Sequence, residues 1–337
     1  MIVRKQTAIA PTRIDLAGGT LDIWPLNMLV DRALTVNVAI DLWATTTIED
    51  VASKTVVRSL DQGIEESWEK AATPPADTRL PLLAECIRFF RPRRFLKITT
   101  RCEAPAGAGL GGSSSLAISM LGGLQAFLSR PIMPPDEMVR VARDLEARVL
   151  RIPTGTQDHV AATYGGAAAI RYGPGPPIRE ALPVDLDRLS ARLVLVFSGA
   201  SRLSAMANWD MVKRTIDADK AALSGLASVA AIANEMRTAL IETNFDAMGA
   251  LLDREWQARK GLSPMVSTAL IEKTIDSAKR AGALAGKACG AGGGGCVVIL
   301  CKDGARPSVE QALRGLAADG VQLLAARPTR VGLQLAG

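Results

Sequence analysis

The chain of 337 residues is long for one domain and comfortable for two. Its 48% hydrophobic and 22% charged residues exclude a disordered or fibrous protein. The net charge is +6, yet no run of five basic residues occurs and aromatic residues make up only 4%, which speaks against a nucleic-acid surface and for an enzyme that handles anionic ligands.

Taken in chain order, residues 35–48 are rich in Val, Ile, Thr and Trp and predict a strand, as do residues 95–102. Residues 113–128 predict a helix that starts directly after a glycine-rich loop. Pro134, Pro135 and Asp136 open a second helix, with Met138, Val141, Ala142, Leu145 and Val149 spaced three and four apart on its apolar side. A turn-rich stretch at 173–177 precedes an expected domain boundary at 183–189, dividing the chain into 1–186 and 187–337. The second half predicts a buried strand at 193–197, several helices over 205–280, a strand at 296–301, a helix at 308–318 and strands at 321–326 and 331–335. Helices on one face of a mostly antiparallel sheet, an α+β layout, pack these elements most simply.

Arg4, Lys5 and Arg13 interrupt any signal-peptide core, and the uncharged stretch 104–129 is broken by proline, glycine and serine. Its apolar part, 116–128, is too short for a bilayer core of about 30 Å. No membrane association is therefore expected. Cys86, Cys102, Cys289, Cys296 and Cys301 form no CxxC pair, and His159 is the only histidine, which argues against a structural zinc site and for a reducing, cytoplasmic setting.

The strongest chemical signal is PAGAGLGGSSS at 105–115. Glycines let a backbone approach a ligand closely, and the following helix offers unpaired N–H groups and a positive dipole end to a polyphosphate. Gly107, Gly109 and Gly112 also satisfy GxGxxG, but no acidic residue follows before Asp136 to bind a ribose, so a dinucleotide fold is disfavoured. A Walker A loop would need a lysine that is missing here.

The segment PAGAGLGGSSSL resembles the second motif of the GHMP kinases. APTRIDLAGGTLDI at 10–23 resembles their first motif, in the form seen in fucokinases and heptose-phosphate kinases, and GKACGAGGGGCVVIL at 286–300 resembles the third. GTQDHVAATYGG at 155–166 and FSGASR at 197–202 are similar to segments of the sugar-kinase branch. The resemblance implies a two-domain GHMP kinase fold: a ribosomal-protein-like α/β domain, then a ferredoxin-like domain. It implies ATP and Mg²⁺ as cofactors and a small-molecule sugar or sugar phosphate as substrate. A homodimer is left open.

Residue by residue, the resemblance implies that Pro105, Gly107, Gly109, Leu110, Gly111, Gly112, Ser113 and Ser114 wrap the ATP phosphates. Gly112 stands where the family has its first serine. Ser113 and Glu146 would hold Mg²⁺. Asp158 would be the catalytic carboxylate, with Arg13 beside it. Gly18, Gly19 and Asp22 would face the sugar, Asp15 could support either side, and Arg202 is one guess for a substrate-phosphate ligand. His159 is expected to pack or support, because no GxSxG elbow supplies a serine for it to activate. The third motif, 290–295, is expected beneath the phosphate loop. The implied reaction phosphorylates a sugar, at its anomeric hydroxyl, in a heptose 7-phosphate or a hexose such as fucose. A non-sugar acceptor such as mevalonate and an inactive ligand sensor are the alternatives.

Overall fold

The computed structural model describes residues 4–199 and 204–336. The chain begins with β1 (Lys5–Ala17), α1 (Leu26–Leu29), β2 (Leu34–Asp50), β3 (Thr55–Ser59), β4 (Ile64–Trp68) and α2 (Pro81–Phe90). It continues through β5 (Leu96–Cys102), α3 (Gly112–Phe127), α4 (Pro135–Leu150), α5 (Gln157–Tyr164), β6 (Ala167–Arg171) and β7 (Ile178–Ala181). β1 and β2 are the long antiparallel spine. Pro11 has no N–H for the ladder, and the register between the two strands shifts there, between Pro11 and Thr12. The last half of β2 pairs with β5 and its first half with β6, so one strand serves two neighbours along its length.

α3 lies against this sheet and against α2, α4 and α5. A helix can be buried on nearly all sides only if it carries no charge, and residues 112–127 carry none. α4 is instead amphipathic. It buries Met138, Val139, Ala142, Leu145 and, against type, Glu146.

The second part comprises α6 (Leu186–Arg192), β8 (Leu193–Phe197), α7 (Ser204–Ile216), α8 (Lys220–Ile241), α9 (Phe245–Leu262) and α10 (Ala269–Arg280). Then follow β9 (Ala283–Ala288), β10 (Cys296–Cys301), α11 (Arg306–Arg314) and β11 (Gln322–Leu324). The four strands form an antiparallel sheet in the order β11-β8-β10-β9. With helices between the first and second strands and the third and fourth, this is the ferredoxin-like arrangement. α11 starts at Arg306, with Pro307 inside its first turn, two residues earlier than the sequence predicts; proline is tolerated there because that N–H has no helical partner.

The chain end differs from its expected place. β12 (Gln334–Ala336) pairs with β1, so it closes the edge of the first sheet rather than the second. On the way, Leu333 N donates to Thr163 O at 3.1 Å and Gly166 N donates to Thr329 O at 2.9 Å, which ties the tail to the end of α5. One apolar cluster runs from Ile14, Leu34 and Val38 to Leu195, Leu251 and Val298, so the two sheets share a core.

Candidate active site

The phosphate loop is shaped by close backbone contact with the third motif. A Cβ on Gly109 would lie 3.0 Å from Gly290 Cα, and Cys296 N donates to Ala108 O at 2.7 Å. The loop turns into α3 through Gly111, whose φ of 75° places it in the left-handed region that favours glycine. No side chain caps α3. Its first-turn residues Gly112, Ser113 and Ser114 line a cavity of about 520 Å³ together with the loop, Leu83, Glu146, Thr154 and Asp158. Leu110 lines this cavity, belongs to the shared core and accepts at its carbonyl from Arg13 N at 3.0 Å. The glycine at 112 also has a physical reason: a Cβ there would lie 3.0 Å from Cys102 Sγ.

Glu146 reaches this loop from α4. Ser113 Oγ donates to its Oε1 and Ser114 Oγ to its Oε2, the latter at 2.9 Å. His159 Nε2, fully buried, lies 3.1 Å from Oε2. Burial pushes the Glu146 pKa up, but His159, Ser113 and Ser114 outweigh it and hold the carboxyl below its ordinary value. A magnesium ion takes one or two carboxylates plus phosphate oxygens and water, and an ionised Glu146 with Ser113 beside an uncapped helix start fits that donor set.

Asp158 lies in the first turn of α5, where a negative charge is favoured by the helix dipole. Thr156, not Asp158, occupies the N-cap position, so Asp158 is not serving as a cap. Arg13, from β1, donates to its Oδ1 through Nε at 2.6 Å, and the other terminal nitrogen, NH2, lies 2.6 Å from the same oxygen. The remaining terminal nitrogen of Arg13 donates to Gly109 O at 2.7 Å and Cys289 O at 3.2 Å. Burial works against the Arg13 charge, but Asp158 and Asp15 more than offset it and raise its pKa. One guanidinium thus joins β1, the phosphate loop, α5 and the third motif.

Beyond Asp158 lies a small polar pocket of about 120 Å³, lined among others by Arg13, Asp15, Asp22, Gln157 and Arg259. It shares Asp158 and Thr154 with the larger cavity. Asp22 Oδ2 accepts from Gln157 N at 3.1 Å. Burial first, and the Asp158 charge next, push the Asp22 pKa up to about 6. Gly155 makes room for it, since a Cβ there would lie 1.8 Å from Asp22 Oδ2. Gly19 lines the pocket, whereas Gly18 packs on the backbone of β2, where a Cβ would strike Leu34 O at 2.0 Å. Arg202 lies outside the described residues.

Behind the pocket is a buried charge cluster that sequence reasoning missed. Lys287 Nζ lies 2.7 Å from Asp15 Oδ2 and 3.1 Å from Glu255 Oε1. Arg259 lies 3.5 Å from Asp15 and donates to Gly290 O at 3.0 Å. These groups come from β1, α9 and β9. The signals available in sequence were a lysine inside the third motif and a Glu–Arg pair four apart on α9; neither reveals burial.

Residues 81–166 match the model of the GHMP kinases N terminal domain, and residues 236–319 match that of the GHMP kinases C terminal domain. The chain belongs to the GHMP kinase family. It is 27% identical over 324 residues to the D-glycero-alpha-D-manno-heptose 7-phosphate kinase of Campylobacter jejuni, covering 93% of each chain. It is 27% identical over 322 residues to the bifunctional fucokinase/GDP-fucose pyrophosphorylase of Arabidopsis thaliana, covering 89% of this chain and 30% of that one. The crystal structure of a D-glycero-D-manno-heptose 1-phosphate kinase from Bacteroides thetaiotaomicron superposes with a TM-score of 0.80 at 24% identity, covering 98% of this chain and 99% of that one. Among the described residues, no helix is long and apolar enough to cross a membrane.

Proposed function

We propose that this protein is an ATP-dependent sugar kinase that transfers the γ-phosphoryl group to a sugar hydroxyl, the anomeric one, of a heptose 7-phosphate or a hexose such as fucose. The observation that carries this role is the position of the Arg13–Asp158 pair, on the seam between a helix-headed cavity and a small polar pocket. Phosphoryl transfer needs that placement: phosphates on one side, an alcohol on the other and a carboxylate between them.

In this account the loop and the first turn of α3 bind the ATP phosphates through backbone N–H groups. Ser113 and Glu146 hold Mg²⁺, which supplies neutralisation of phosphate charge when bound. Asp22 and Gln157 position the sugar. Asp158 orients its hydroxyl through Oδ2 and accepts its proton as the new O–P bond forms. The bond from γ-phosphorus to the bridging oxygen breaks, and ADP leaves with that oxygen. Arg13 holds Asp158 in place through its ion pair and faces the charge that builds on the transferred group.

An ADP-release assay with Mg-ATP against free sugars, sugar phosphates and mevalonate tests this function. Turnover with a sugar or sugar phosphate is expected. Turnover with mevalonate alone, or ATP binding with silence across the panel, would overturn it.

A further inference from the structure

A third cavity, of about 530 Å³, adjoins the small polar pocket and shares Asp22 and Thr154 with it. A group held at Asp22 can extend into this cavity, away from Asp158. One wall is apolar and includes Trp24, which is 64% exposed. An indole left that open at a cleft offers a flat surface to the nonpolar face of a sugar.

The other wall carries two guanidinium groups, Arg143 from α4 and Arg151 just past its end. The backbone N of Arg151 donates to Ala147 O at 2.8 Å, but its guanidinium has no hydrogen bond or ion pair to any described residue. Arg143 donates to Asp144, its exposed neighbour in sequence, through Nε at 2.9 Å and a terminal nitrogen at 2.6 Å. An exposed pair of this kind is weak in water, and a phosphate dianion competes well for such a fork. Basic side chains often sit at helix C-termini to complement the dipole. Arg148 already fills that place, 3.4 Å from Glu85, and Arg143 lies two turns before the helix end. Among the described residues the only carboxylate lining this cavity is Asp22, at the end shared with the polar pocket, so the arginine end is the one suited to an anion.

We infer that this cavity takes the distal, phosphate-bearing end of the acceptor, with Trp24 under its carbon chain and Arg143 and Arg151 on the phosphate. This assignment rests on the sugar-kinase function and narrows the acceptor to a sugar phosphate.

The test compares D-glycero-D-manno-heptose with and without its 7-phosphate as acceptors, in the full chain with Mg-ATP. The wild-type protein should prefer the phosphorylated form. The Arg143→Ala/Arg151→Ala variant, checked for an unchanged melting curve, should lose about 10- to 100-fold in kcat/KM on the phosphorylated heptose, chiefly through KM. Its kcat/KM on the unphosphorylated heptose should not change. Calorimetric binding of the heptose 7-phosphate without ATP should weaken in parallel. Equal losses on both acceptors, no loss on either, or a wild-type preference for unphosphorylated sugars would overturn the assignment and leave the sugar-kinase function standing. Absence of ATP-dependent turnover on every sugar, phosphorylated or not, would overturn both.

Discussion

Arg13 and Asp158 are 145 residues apart in sequence, yet two nitrogens of the guanidinium lie 2.6 Å from one oxygen of the carboxylate. Oδ1 is thereby committed and Oδ2 is left for another partner. The same arginine binds the carbonyls of Gly109 and Cys289, so the carboxylate position is fixed by the phosphate loop and the third motif together. A displacement of any of these segments would move the group proposed to receive the acceptor proton.

Asp22 gives a pH signature. Its pKa is pushed up to about 6 by burial and by Asp158, so the folded protein holds this proton more tightly than the unfolded chain. The stability from that proton is fully present below the unfolded pKa near about 4 and is lost as pH rises through about 6. Asp22→Asn should therefore be more stable than wild type at pH 8, by up to about 3 kcal/mol, with the gap closing by pH 4. Urea melts at the two pH values measure this, and a gap that widened toward pH 4 would contradict the sign.

Glu146 is held ionised by Ser113, Ser114 and His159 beside the uncapped start of α3. Glu146→Gln keeps the shape and removes the charge. The Mg²⁺ concentration for half-maximal turnover should rise by about 10-fold or more, and Ser113→Ala should shift it in the same direction. Magnesium titrations of both variants at saturating ATP check this. An unchanged midpoint in Glu146→Gln would remove it from the metal site.

The buried cluster behind the polar pocket makes a prediction about stability. Lys287 is fully buried between Asp15 and Glu255. Lys287→Met alone leaves two buried carboxylates short of a counter-charge and should cost about 3–5 kcal/mol. The double variant Lys287→Met/Glu255→Leu removes one charge of each sign and leaves Asp15 facing Arg259, so it should recover more than half of that loss. Urea denaturation of the wild type and the two variants decides it; a double variant no more stable than Lys287→Met would contradict the pairing.

What could be read in the sequence depended on how local the cause was. The glycine loop and the helix behind it were legible because spacing, absence of charge and turn chemistry all act within about 25 residues. The meeting of Arg13, Glu146 and Asp158 with the loop was reached only through resemblance, because no periodicity reports contacts over such separations. The strand near the chain end was legible as a strand, but its pairing with β1 depends on the tail hydrogen bonds around Thr163 and Gly166. Glu255 and Arg259 stand four apart on α9, a spacing that says nothing of burial; only the packing of α9 over β9 shows them buried. The tight approach of position 112 to Cys102 Sγ, 3.0 Å from a Cβ placed there, is a contact across the fold that no local window contains.

Asp158, in the proposed function, receives the acceptor proton at the seam between the two sites. Asp158→Asn preserves the size of the side chain and an oxygen for Arg13. Single-turnover and steady-state rates should fall by about 10²- to 10⁴-fold, while the Kd for ATP stays close to wild type. A rate within a few-fold of wild type, with ATP binding intact, would contradict the claim.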